Sequence, residues 1–256
     1  MRDFTLEMYE CLLAALRSRG YRALPFADVM DGEGDGKKRW VVLRHDVDRL
    51  PWNSVATARM ERSYEMAGTY YFRVVPGAWD RDAVSAIASL GHECGYHYED
   101  LHLAKGNVVE AYRLFREHLA MIRQVVPVRT ICMHGSPLSR WDNRDIWRAF
   151  NYRENGLTGE PYFDLDFNEV CYITDTGRSW NASNVSVRDK VVSAFDVSVR
   201  STPDLIDAVW EHDLADKLMI TVHPQRWCSS QALWLRELLV QNAKNLIKRA
   251  IVARRV

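Results

Sequence analysis

The feature that most limits what this chain can fold into is where its apolar runs stop. WVVLRHDVD reads as a short strand that passes into polar residues, leaving His45, Asp46, Val47 and Asp48 at its end. HECGYH ends at His97, VRTICMH at His134 and KLMITVH at His223, while NEVCYIT stops just before Asp175. Between these runs the spacing turns helical. Phe4, Leu12, Leu13 and Leu16 define a first amphipathic helix closed by Gly20, and Ser54 to Met66 a second stopped by Gly68. Asp80 and Asn107 stand where N-caps belong, Asp145 to Phe150 reads as a further helix, Thr202-Pro203 opens another, and a long helix starts near Ser230. TYYFRVV and VVSAFDVSV complete the strands, and ADVMDGEGDGKKR is a loop. Repeated strand–helix units imply a parallel sheet with helices outside it, either a closed barrel or a doubly wound sheet. In an α/β barrel the strand ends converge on one face, and that face carries the active site.

Side-chain alternation sorts these residues. Positions two apart on a strand share a face, so Asp46 and Asp48 both turn inward while His45 turns out. His92 and His97 are separated by an odd number of residues, so only one of them faces in, and His97, at the exit, is the choice. Two carboxylates this close repel unless a cation joins them. A divalent ion resolves the conflict: one Asp ligates it, and the other takes a proton from water that the ion activates. An imidazole ligand favours zinc, cobalt or nickel over magnesium. The plainer alternatives are that Asp46 and Asp48 cap the helix after Pro51, and that the histidines are ordinary hydrogen-bonded residues.

Charge and cysteines narrow the class. Lys+Arg and Asp+Glu are equal at 34 each, so no net field recruits nucleic acid. Cys11, Cys94, Cys132, Cys171 and Cys228 are odd in number and scattered, which fits neither a disulfide framework nor a structural zinc site. The charges interleaved through the first twenty residues exclude a secretory signal, and no segment is long and apolar enough to span a membrane, so a cytoplasmic protein is expected. After Glu237 there are no acids, while Lys244, Lys248, Arg249, Arg254 and Arg255 follow among Leu246, Ile247, Ile251 and Val252. That pattern suits peripheral membrane contact through the C-terminal helix, or simply a packing helix with solvated cations.

At LRHDVD, GHECGYH and LMITVHPQ, in that order, the sequence resembles the polysaccharide deacetylases, carbohydrate esterase family four. With CMHGSPLSRWDNRD and YITDTGRSW it is most similar to the WbmS-like branch associated with lipopolysaccharide O-antigen genes. The resemblance runs from about Trp40 to Trp227 and implies one catalytic domain over 1–256, a distorted (β/α)7-8 barrel with terminal helices packed on it. It implies hydrolysis of an N-acetyl or similar acyl group on a sugar, free or linked to a nucleotide or lipid carrier. Carried over, Asp46 is the base, Asp48 and His97 are metal ligands, and His223 is the general acid. The usual histidine pair has three residues between its members, but here Leu101 falls at that place and His102 one beyond it. His102 is the preferred third ligand, with His134 the alternative. No counterpart of the family's arginine that braces the base is evident, and Arg140, Arg144 or His134 are candidates. His134, Arg144, Asp175 and Trp180 are assigned to substrate binding, Trp180 by stacking on a sugar ring and Asp175 also as a brace, with Trp141 and Trp227 at the rim. A degenerate saccharide-binding module of the same fold, and a metal hydrolase cleaving another bond, are the competing readings. Oligomeric state is open.

Overall fold

The computed structural model describes residues 2–36, 38–136, 139–180, 191–211 and 214–253, without the side chains of residue 244 and of residues 246–253. The strands are β1 (Arg22–Ala23), β2 (Trp40–Val47), β3 (Thr69–Phe72), β4 (Glu93–Tyr98), β5 (Ile131–Met133), β6 (Cys171–Thr174) and β7 (Lys217–Val222). All pairings are parallel, in the order β5-β4-β3-β2-β7-β6, with β1 attached to β2. β7 occupies one edge of β2 from Trp40 to His45; β1 and β3 share the other edge, at Trp40–Val41 and Arg44–Val47 respectively. The helices are α1 (Leu6–Ser18), α2 (Phe26–Met30), α3 (Pro51–Ser63), α4 (Arg81–Ser89), α5 (Asp100–Leu103), α6 (Val108–Arg123), α7 (Pro161–Asp164), α8 (Thr202–Glu211) and α9 (Gln231–Ala253).

The architecture is a distorted α/β barrel. Its end strands β5 and β6 do not pair, and the chain from Leu157 to Tyr162 fills the gap. Gly159 bridges Thr130 beside β5, Glu160 accepts the Met133 N–H at 3.0 Å, and the Tyr162 hydroxyl lies 3.5 Å from that of Tyr172 on β6.

Alternation decides what fills the inside. Trp40, Val42, Tyr71, Cys132 and Met219 form the inner core, while Val41, Leu43, Leu218, Ile220 and Val222 pack outward under α1 and α8. Tyr70, Phe72, Tyr96 and Ile131 pack outward under α4 and α6. Gly95 is required on the inner face, because a Cβ there would sit 2.5 Å from the Tyr71 ring and 2.7 Å from the Thr130 carbonyl. On the outward face, His45 stacks on Tyr70 at 4.0 Å and places Nε2 2.6 Å from Glu61 of α3. Tyr9 and Tyr70 also donate to Glu61, so one buried carboxylate ties α1, α3, β2 and β3 together. His92 joins this outer layer, accepting from Gly68 N and donating to the Ala58 carbonyl, both at 2.9 Å.

Four local expectations change, the first being that the stretch read as a loop from Ala27 starts in helix, Ala27–Met30 belonging to α2 behind Pro25. The stretch 191–199 is not a strand; among the described residues it enters no sheet pairing. Asn143–Arg148 is a 3-10 turn capped by Asp142. The cap of α8 is Ser201, in a reciprocal capping box with Asp204, while the Thr202 hydroxyl turns to Asp3 and Trp180.

Candidate metal centre

β2 delivers Arg44 and Asp46 to the inner face, and Asp48 follows just past the strand end. Neither aspartate caps α3: its N-cap is Leu50, in the left-handed region at φ 51° with no side-chain cap bond. Asp46 is instead clasped by Arg44, Nε to Oδ1 at 2.9 Å and Nη2 to Oδ2 at 2.7 Å, both side chains being essentially buried. Burial pushes the Asp46 carboxyl up, but Arg44, helped by the nearby His97 and His223, holds the group below its ordinary value.

His97 leaves β4 beside Asp46. Its Nδ1 donates to the Cys132 carbonyl at 3.0 Å, which fixes the proton there and leaves Nε2 as a lone pair. That Nε2 lies 3.7 Å from Asp46 Oδ2 and 3.7 Å from Asp48 Oδ1. Burial depresses the His97 pKa to about 4, so the ring is neutral at neutral pH, as a ligand must be. His134, at the end of β5, donates from Nδ1 to Glu99 at 3.1 Å and presents Nε2 3.4 Å from Asp48 Oδ1. Glu99 is held in turn by Arg73, whose Nη1 also donates to the Asp48 carbonyl at 3.1 Å. Burial raises the Glu99 carboxyl, yet its bond to His134 and the charge of Arg73 bring it to about 2.

His223, after β7, completes the ring. Its Nδ1 meets Asp175 Oδ1 at 2.5 Å, and its Nε2 faces Asp48 Oδ2 at 4.0 Å. Asp175 is fully buried and also accepts from His223 N, Arg226 and the Trp227 indole. Burial raises its carboxyl, and Arg226 and His223 together depress it well below the ordinary range. Gln225 donates to Asp48 Oδ2 at 3.2 Å.

Asp48, His97 and His134 therefore form a group able to hold a metal ion, and Asp46, His97 and Cys132 a second, overlapping one. The donor set fits a divalent cation. Asp48 Oδ1 is buried and accepts no hydrogen bond, an expensive state for a carboxylate oxygen without a cation. The two Nε2 lone pairs stand 3.4 and 3.7 Å from that oxygen. Ligands about 2.0–2.2 Å from one tetrahedral ion lie roughly 3.3–3.6 Å apart. Each histidine is anchored through Nδ1, the usual arrangement behind a metal-ligating imidazole.

Several assignments move. His102 belongs to neither group: β4 ends at Tyr98, α5 winds away from its N-cap Glu99, and the His102 N–H is fixed to Asn143 Oδ1 at 3.0 Å. His134, assigned to substrate binding with a ligand role as the alternative, falls in the group able to hold a metal ion. Arg144 braces no base, since it is committed to Asp142 at 2.7 Å and lies over Tyr162. Asp175 is too buried to meet substrate directly. Trp180 is 3% exposed, stacked with Phe4 and bonded to Thr202, so it is core and offers no platform to a sugar; Trp227, 1% exposed, is likewise no rim residue. Trp141 is partly buried, packed under Arg140. Arg44 and Glu99 were missed, although the alternation that pairs Asp46 with Asp48 also places Arg44, and that of His97 places Glu99, on the same inner face.

In sequence, no family model matches the chain and no curated protein does. In structure it is similar to the deacetylase PplD of Streptococcus pyogenes in complex with acetate, at 16% identity and a TM-score of 0.44 over 57% of this chain and 70% of that one. It is also similar to BA3943 of Bacillus anthracis, described as a CE4 family pseudoenzyme, at 14% identity and a TM-score of 0.43 over 82% of this chain. A mutant of that protein with restored enzymatic activity gives 14% identity and 0.43. This chain spans 62% of the length of the wild-type BA3943 structure. These likenesses are distant, and no residue role is carried across from them. No described helix is long and apolar enough to cross a membrane.

Proposed function

We propose that this chain is a metal-dependent amide hydrolase that removes an N-acetyl or similar acyl group from a sugar. One observation carries the reading: a buried, unbonded carboxylate oxygen of Asp48 faces the lone pairs of His97 and His134. Zinc, or cobalt or nickel, suits one carboxylate and two imidazoles better than magnesium does. When bound, such an ion activates water and polarises the acyl carbonyl.

The chain's own groups supply the proton transfers. Asp46 is the general base; the Arg44 clasp keeps it ionised and fixes its orientation. His223 is the general acid. Asp175 holds Nδ1 and aims Nε2 into the site, where the departing amine takes the proton. Beside the site, a cleft of about 270 Å³ is lined by Asp142, Arg144, Asp145, Trp147, Arg148 and Phe163. Aromatic walls with paired polar side chains suit a saccharide, and Arg144 connects the cleft to the centre across Tyr162, which also contacts Arg44. The sequence resemblance to the O-antigen branch favours a surface-polysaccharide precursor made in the cytoplasm as the substrate.

The test is metal analysis paired with amine release from N-acetylated sugars. Purified wild type should hold stoichiometric zinc, cobalt or nickel. Asp48→Ala should lose metal and activity together. Asp46→Asn should keep the metal and lose about 10²–10⁴-fold in turnover, the usual share of a general base. A metal-free wild type, or full activity in Asp48→Ala, ends the proposal.

A further inference from the structure

The last helix is inside out. Along α9 the buried positions are polar: Glu237 is 7% exposed and Gln241 3%. Leu233, Leu235 and Leu239 are instead 49%, 50% and 62% exposed, and Val240 adds 36%. A helix that merely packs on a barrel turns its leucines inward. The inward face of α9 is fastened by polar contacts. Glu237 pairs with Arg49, Asn245 donates to the Gly177 carbonyl at 2.9 Å, and the Trp234 indole donates to Asp3 O at 2.7 Å. Arg49 is next to Asp48, and Gly177 is two residues past Asp175, so these bonds attach α9 to the loops that carry the candidate site.

From these observations we infer that the outer face of α9 is a docking surface for an anionic lipid bilayer. Charge selects this occupant. Arg236 is exposed among the leucines, and Lys244, Lys248, Arg249, Arg254 and Arg255 follow Glu237 with no further acid. The one acid of the helix, Glu237, is already neutralised by Arg49. An anionic surface supplies the charge that complements this stretch of sequence, which is rich in Lys and Arg and has no acid after Glu237. Exposed leucines flanked by Lys and Arg on a helix that does not span describe an interfacial helix lying in the plane of the headgroups. Docked in this way, α9 holds the mouth of the barrel at the membrane surface. A lipid-linked saccharide would reach the site there; that consequence alone rests on the hydrolase reading, and the docking does not.

The experiment is flotation of the full chain with phosphatidylcholine vesicles, with and without phosphatidylglycerol, at low and high salt. The chain should float with phosphatidylglycerol vesicles at low salt, and less as salt rises. Leu235→Gln/Leu239→Gln, which leaves the charges untouched and alters only exposed positions, should weaken binding about tenfold or more while metal content stays unchanged. Absence of flotation with anionic vesicles at low salt overturns the inference, as does a double variant that floats as well as wild type. A wild-type dimer that the same substitutions convert to a monomer would assign the face to a second copy and overturn it equally.

Discussion

Arg44 and Asp46, two residues apart on one strand, meet in a two-pronged ion pair at 2.9 and 2.7 Å on the inner wall of the barrel. The pair is buried, so the guanidinium acts on the carboxylate with little screening by water. Arg44 thus sets both the orientation and the ionisation of the residue proposed as base.

Replacing Arg44 should move the acid limb of activity. With Arg44 present, the Asp46 pKa lies below the ordinary carboxylate value; removing the cation raises it, so Arg44→Met should lose activity at a higher pH than wild type on acidification. Arg44→Lys keeps the charge and loses the fork, so its limb should fall between the two. Profiles of kcat/KM against pH read this directly, and an unmoved limb in Arg44→Met would refute the coupling.

The third ligand is decided by comparing two histidines. His134→Ala should weaken zinc binding by at least about 10²-fold, and Glu99→Gln, which disturbs the brace behind His134, by roughly 10–100-fold. His102→Ala should bind zinc like wild type. Competition with a chromophoric chelator measures all three, and a large loss in His102→Ala alone would restore that residue to the ligand set.

Asp175 is a positioning residue, and its removal should affect kcat more than KM. Asp175→Asn keeps the shape but loses the carboxylate that fixes the tautomer and orientation of the His223 ring, and turnover should fall by about 10²–10⁴-fold. Metal content should not change. Equal losses in kcat and metal occupancy would mark a structural collapse instead.

Glu61 should matter for stability and not for chemistry. Burial raises its carboxyl, but His45 and the tyrosine donors hold it below the ordinary glutamate value. A depressed folded pKa contributes stability above the unfolded value, roughly pH 4.3, and that contribution fades as the pH falls further. Glu61→Leu strands Tyr9, His45 and Tyr70 without their acceptor and should cost about 3–5 kcal/mol at neutral pH. Urea unfolding across pH measures both effects; a variant as stable as wild type would show the network to be dispensable.

The sequence by itself determined most of the strands (though neither β1 nor the absence of one at 191–199), the alternation of strand and helix, and the placement of Asp46, Asp48, His97 and His223 at strand ends. It could do so because the two-residue period of a strand and the polarity change at its end are local properties. Only the tertiary structure decided which neighbour completes each pair. His134 and not His102 joins Asp48 because β5 lies beside β4 and α5 turns away after Glu99, and neither relation is written in residue spacing. Trp180 followed the same rule: its sequence surroundings look like a loop, but Phe4, far away in the chain, covers it. The polar inner face of α9 became visible only once Arg49 and Gly177 stood against it, since a helical period tells which residues share a face and not which face meets the protein.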